Sequence, residues 1–142
     1  METATTTETA ARLRRAITRL NRKLRYSALG GVSPAQASML ASIDKLKSPS
    51  LGDLALAEQI QPPSVTRLVK NMEQAALIKC VPDSVDRRCT RVQLTASGRR
   101  ELETIRRRKT EFLERQLLAL TSDDRRKAED LVTFLEALLE QE

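Results

Sequence analysis

The sequence predicts a mainly helical chain that carries one short β-hairpin. Three observations support this. Ala, Leu, Glu and Arg are abundant and β-branched runs are few. Apolar residues recur at three- and four-residue spacing through six stretches, most of them preceded by a helix-starting residue. The exception is residues 78–94, where two short runs flank a turn-rich, charged tip. A length of 142 residues suits a single domain, and with aromatics at 2% its core must be aliphatic.

The first helix is predicted to start near Thr9, with the polar opening Thr3 to Thr9 read as frayed. Leu13, Ile17, Leu20 and Leu24 form its apolar stripe, and Arg12, Arg15, Arg19 and Arg22 form another face. Gly30-Gly31 should end it, since glycine suits the left-handed cap position. Ser33-Pro34 opens a second helix, with Ala37, Leu40, Ala41, Ile43 and Leu46 apolar, and Lys47-Ser48-Pro49 breaks it. Ser50 caps a short third helix, and Asp53 is its capping-box partner.

Gln61-Pro62-Pro63 starts a fourth helix whose faces separate cleanly. Val65, Leu68, Val69 and Met72 fall together; Pro63, Arg67, Lys70 and Gln74 lie opposite, flanked by Ser64, Thr66 and Asn71. Two short helices joined by a tight turn, the second basic and polar outside, fit a helix-turn-helix. Ile78 to Val81 and Thr90 to Leu94 read as strands, so the hairpin would be a wing beside it. Thr95 caps a long helix running towards Leu120, and Thr121 or Ser122 a last one with the stripe Leu131, Phe134, Leu135, Leu138 and Leu139. The expected class is therefore mainly α with a small β-wing. Residues 1–32 and 96–142 would form a dimerisation region, and residues 33–95 a winged helix-turn-helix lobe. That lobe is too small to cover three amphipathic helices; they could pack on one another alone, but packing on a second copy would also set two recognition helices on one face, which favours the dimer.

Composition excludes several chemistries. There is no histidine, hence no histidine triad, histidine–zinc site or imidazole proton shuttle. Two cysteines make neither a Cys-only zinc site nor a disulfide scaffold. No nucleophile–base pair, glycine-rich phosphate loop or carboxylate pair stands out, so no enzyme, metal or cofactor is expected. No apolar run approaches the roughly 18 residues of a membrane span, and Met1 to Ala11 does not resemble a signal peptide. A cytoplasmic protein without membrane association is the expectation. The charge is uneven. Residues 1–30 hold seven basic and two acidic side chains, residues 31–60 two and three, residues 61–109 twelve and five, and residues 110–142 four and nine. The basic middle suits nucleic acid, although Arg-rich helices can also be merely soluble.

Two stretches, LALAEQIQPPSVTRLVKNMEQAALI (residues 54–78) and PDSVDRRCTRVQLTASG (residues 82–98), resemble the MarR family of bacterial winged-helix regulators. The Asp-Arg-Arg wing tip followed by Arg-Val-x-Leu-Thr-x-x-Gly is the more specific part, and the helix order around it also fits. The resemblance implies a homodimer that binds double-stranded DNA at a pseudo-palindromic operator, more often as a repressor. It implies recognition helices in adjacent major grooves and wings in the flanking minor grooves. Ser64, Thr66, Arg67 and Lys70 match the family's major-groove face. Asp86 and Arg88 match a wing pair in which the arginine enters the minor groove and the aspartate holds it, with Arg87 beside them. Release by a small phenolic or lipophilic acid is also implied for many members, and Arg25 or Tyr26 could line such a pocket or be ordinary interface residues. This chain departs from the family at Gln59 and Ala76, where glycine is frequent, and at Gln61, where a small hydroxyl or acidic cap is frequent.

Other readings stay beside these. Arg67 could bond a guanine edge or only phosphate. The Arg12 to Arg22 stripe is more simply a solvated helix face than a DNA surface. Part of the run Arg106 to Lys109 should pair with Glu111 or Glu114. Cys80 and Cys89 lie on the wing strands, where Lys79 and Arg88 could lower a thiol pKa and make a redox switch; idle small residues are the commoner case. A non-specific architectural DNA binder and a helical protein–protein adaptor are the rival functions.

Overall fold

The structure is a computed structural model that describes residues 3–28, 30–88 and 90–141. Its helices are α1 (Thr6–Ala28), α2 (Pro34–Leu46), α3 (Leu51–Glu58), α4 (Pro62–Gln74), α5 (Ala96–Leu118) and α6 (Ser122–Leu139). Strands β1 (Ile78–Pro82) and β2 (Thr90–Leu94) pair antiparallel, with Ile78 opposite Leu94 and Pro82 opposite Thr90. Hydroxyl caps act where a serine or threonine meets an apolar run: Ser33, Ser50, Thr95 and Thr121 each accept a backbone N–H from three residues on.

The polar opening is not frayed as far as Thr9. Thr5 and Glu8 form a reciprocal box, in which the Thr5 N–H donates to Glu8 Oε2 at 2.7 Å and the Glu8 N–H to Thr5 Oγ1 at 3.1 Å. These bonds satisfy two otherwise orphan donors, so the helix begins three residues earlier. Gly30 also departs from its expected role, because no described glycine has positive φ. Its bare Cα lies beside the Arg108 guanidinium, which a Cβ there would displace and whose Nη1 lies 3.5 Å from the Ala28 carbonyl oxygen at the end of α1.

The core is aliphatic and lies where α2, α3, α4 and the hairpin meet α5. Met39, Leu40 and Ile43 of α2 join Leu54, Val65, Met72, Ile78, Val92, Leu102 and Ile105. Polar ties set the angles between these elements. Glu58 of α3 accepts bonds from the Ser38 and Ser42 hydroxyls of α2. Asp44 of α2 faces two arginines of α5, Arg106 at 3.1 Å and Arg99 at 3.6 Å. Arg107 pairs with Glu111, so the basic run divides between α2 and its own helix. One further pairing has no sequence signal: Ser50 bridges Arg91, and Val92 donates to the Pro49 carbonyl at 2.9 Å. β2 thus lies between β1 and the entry to α3.

The two ends of the chain are built differently. α1 packs along α5, yet Ile17 and Leu20 stay half-exposed. α6 buries no residue, and Leu131, Val132, Phe134, Leu138 and Leu139 are all exposed. An amphipathic helix with an open apolar face lacks the burial that stabilises such a helix.

Two glycine exchanges test the close points of the lobe. Ala76 has φ 60°, a left-handed conformation that costs an L-residue about 1–2 kcal/mol. Ala76→Gly relieves this against glycine's entropic cost of about 0.5–1 kcal/mol, so denaturant unfolding should show a net gain of about 0.5–1 kcal/mol. A lowered midpoint would refute the strained turn. Gly98→Ala should do the reverse, losing about 1–3 kcal/mol, because its Cβ would meet the Leu77 carbonyl group.

Candidate nucleic-acid interface

α3 and α4 meet at a tight turn that Gln59 makes in the left-handed region, with φ 54° and ψ 43°. Gln59 is not glycine, so it carries the cost of that left-handed conformation. α4 turns Val65, Val69 and Met72 into the core, which leaves Pro63, Ser64, Thr66, Arg67 and Lys70 exposed on the other side. The predicted recognition residues thus share one open face. Thr66 is partly engaged already: its hydroxyl donates to the Pro62 carbonyl at 3.1 Å. Gln61 occupies the N-cap position without a side-chain cap bond.

The wing tip is built from aspartates. Asp83 Oδ2 accepts the Asp86 N–H at 2.9 Å, which closes the turn, and its Oδ1 accepts from Arg91 Nε at 3.2 Å. Asp86 Oδ1 receives both the N–H of Arg88 at 3.1 Å and its Nε at 3.2 Å. The expected Asp86–Arg88 pair is therefore present. The Arg88 side chain is 92% exposed, so the pair orients the guanidinium without withdrawing it from a ligand. Arg87 is exposed next to it.

The sequence singles out neither Arg91 nor Asp83, and it marks Asp53 only as a capping residue. Arg91 reaches Asp83 in the wing and, at 3.6 Å, Asp53 in the first turn of α3. Asp53 at the same time completes the Ser50 capping box. One guanidinium therefore joins the wing loop to the helix-turn-helix. Strand alternation was the available signal: with Val92 buried, Arg91 and Gln93 must face the other side. Both aspartates titrate below the usual carboxylate range. The Asp86 N–H is the larger cause for Asp83, with Arg91 adding to it; the Ser50 N–H and hydroxyl are the larger causes for Asp53.

Cys80 sits opposite Val92 on β1. Burial, together with a bond to Glu73 and its charge, pushes the thiol up to about 11. Lys79 and Arg88 do not offset this, and the environment disfavours a reactive thiolate. Cys89 lies outside the described residues.

Comparison with known proteins follows the same lines. The MarR family model matches residues 32–90, which span α2 to the wing. An HTH-type transcriptional regulator of Mycobacterium leprae is 33% identical over 130 residues, covering 89% of this chain and 91% of that protein. The crystal structure of transcriptional regulator Tm0710 from Thermotoga maritima superposes with a TM-score of 0.80 at 23% identity, over 92% of this chain and 96% of that one. A MepR variant from S. aureus bound to an oligodeoxyribonucleotide gives a TM-score of 0.70 at 20% identity, over 92% and 97%. At these identities the two structures bear on the fold.

Two measurements test the geometry of the wing. A depressed folded-state pKa contributes stability above the unfolded value, and that contribution is lost as pH falls through the folded one. Wing anchoring should therefore hold from pH 8 down to about 5 and release only below the usual carboxylate range near 4. Limited trypsin cleavage at Arg87 and Arg88 should be severalfold faster in Asp83→Asn at pH 7; unchanged cleavage would remove the anchor. For Cys80, alkylation should be slow at pH 8 and accelerate towards pH 11; rapid modification at pH 8 would contradict the raised thiol pKa.

Proposed function

The chain belongs to the MarR family of non-enzymatic, DNA-binding transcriptional regulators, and from that premise we propose that it is a repressor acting as a homodimer on a pseudo-palindromic operator. The observation that carries this reading is the pairing of two open cationic elements on one lobe. The exposed face of α4 offers Ser64, Arg67 and Lys70 to a major groove, and Arg88, held by Asp86, extends from a wing towards the flanking minor groove. Arg87 lies where it can meet phosphate. A guanidinium suits the electronegative minor groove, and the carboxylate beside it is tolerable at a DNA surface because it orients that group.

The second copy is argued from burial. The open apolar face of α6, with Ile17 and Leu20 of α1 and Leu117 and Leu118 of α5, asks for a partner of the same kind. Residues 1–32 and 96–142 then form the dimer base, and residues 33–95 read DNA. No described helix is long and apolar enough to cross a membrane; the proposed action at DNA is the support for a cytoplasmic location. A cleft of about 280 Å³ between α1, α2 and α5 has Arg25 and Lys109 among its lining residues. Two cations over an apolar floor of Ala37, Ala41 and Ile105 favour a small lipophilic carboxylate as the releasing effector. Tyr26 is 70% exposed and lies outside this cleft.

The test is binding to a duplex from the protein's own upstream region against a scrambled duplex, at two salt concentrations. The expected specificity ratio is roughly 10³ or more, with half-site centres about 10 bp apart and an affinity that falls steeply with salt. Arg88→Ala should weaken operator binding about tenfold or more while leaving the dimer and its melting temperature intact. Equal binding to both duplexes, and to genomic fragments, would favour an architectural role; no binding at low salt would favour an adaptor.

A further inference from the structure

The first turn of α4 is unusual for a surface that meets DNA, because it has little to offer a phosphate. Helix N-termini ordinarily present free N–H groups to anions. Here Pro62 and Pro63 have no N–H, while the Ser64 and Val65 N–H groups are both bonded to the Gln61 carbonyl at 2.9 and 3.2 Å. Thr66 commits its hydroxyl proton to the Pro62 carbonyl, so its side chain has no O–H left to donate and carries a methyl group beside the acceptor oxygen. Pro63 stands at the centre of the outward face, in line with Arg67 and Lys70. The centre of the first turn is thus the apolar Pro63 ring, with the Ser64 hydroxyl on its flank, and the cationic groups begin a full turn later.

The major groove has one apolar feature, the C5-methyl of a pyrimidine. We infer that Pro63, with the methyl of Thr66, reads such a methyl group, and that this contact sets base preference beneath the first turn of α4. Thymine carries that group in every duplex, and 5-methylcytosine carries the same group where DNA is modified. Pro63 is suited to this work because its ring is rigid, so little conformational entropy is lost on contact. Arg67 and Lys70 then add charge further along the groove. The inference rests on the proposal that α4 enters the major groove.

The experiment compares the operator duplex with the same duplex made with deoxyuridine in place of thymidine, which keeps the pairing and removes the methyl groups. A third duplex carries 5-methylcytosine at its cytosines. The wild-type protein should lose affinity for the uracil duplex by about fourfold per contact, the scale of one buried methylene, hence roughly fifteenfold for two half-sites. Pro63→Ala and Thr66→Ser should bring the thymine-to-uracil ratio close to one. Lys70→Ala should weaken both duplexes alike and keep the ratio.

A loss on uracil assigns the methyl to thymine. An inert uracil exchange with tighter binding to the methylcytosine duplex assigns it to modified cytosine. Insensitivity to both overturns the inference while leaving DNA binding in place. So does a ratio that persists in both variants, since a change in duplex shape would affect every variant equally. Failure to bind any duplex specifically is the different result that removes the regulator proposal and this inference together.

Discussion

The geometry of the candidate DNA-binding face depends on Arg91. Its guanidinium lies between Asp83, which shapes the wing tip, and Asp53, which caps α3. Both carboxylates are already committed to backbone N–H groups, of Asp86 and of Ser50. Three local motifs are thereby joined: a turn, a strand and a helix start. Each pair alone is a partly exposed ion pair of small net worth. Their importance is in position, because they hold Arg88 at a set reach from α4. The bridge between Ser50 and Arg91 reinforces the same junction through the backbone.

Much of this was legible in the sequence, for a physical reason. Helix starts depend on hydroxyls and prolines that act within three residues, so Ser33, Ser50, Pro62 and Thr95 announce themselves. The faces of α4 were equally plain, since Val65, Val69 and Met72 follow the helical period. The Asp86–Arg88 pair was found through resemblance and then met as a contact. Features that rest on distant partners were not legible. The pairing of Pro49 and Ser50 with β2, the reach of Arg91 to Asp53, and the space that Gly30 leaves for Arg108 each join residues about 40 to 80 positions apart. The Thr5–Glu8 box is local and could have been read; the run of threonines obscured it.

The corners of the lobe carry backbone cost. Lys47, Ser48, Gln59 and Ala76 all have positive φ, and none is glycine. At about 1–2 kcal/mol each, such conformations persist only where the surroundings determine them. They lie at the joints after α2, α3 and α4, around the core formed by Leu40, Leu54, Met72 and Ile78. The packing of these apolar groups sets the turns. It also fixes the direction in which α4 leaves its turn, on which the placement of Pro63 and Arg67 depends.

The uncovered stripe of α6 has a consequence for dosage. On the homodimer proposed above, a chain made alone cannot complete its own base, and only the paired form presents two reading heads at the spacing of one duplex turn. Below the dissociation constant of that pair, the amount of competent protein rises with the square of chain concentration. Occupancy of the operator would then respond to synthesis more steeply than a one-chain binder allows. A promoter under such control would change state over a narrower range of expression than a one-chain binder imposes.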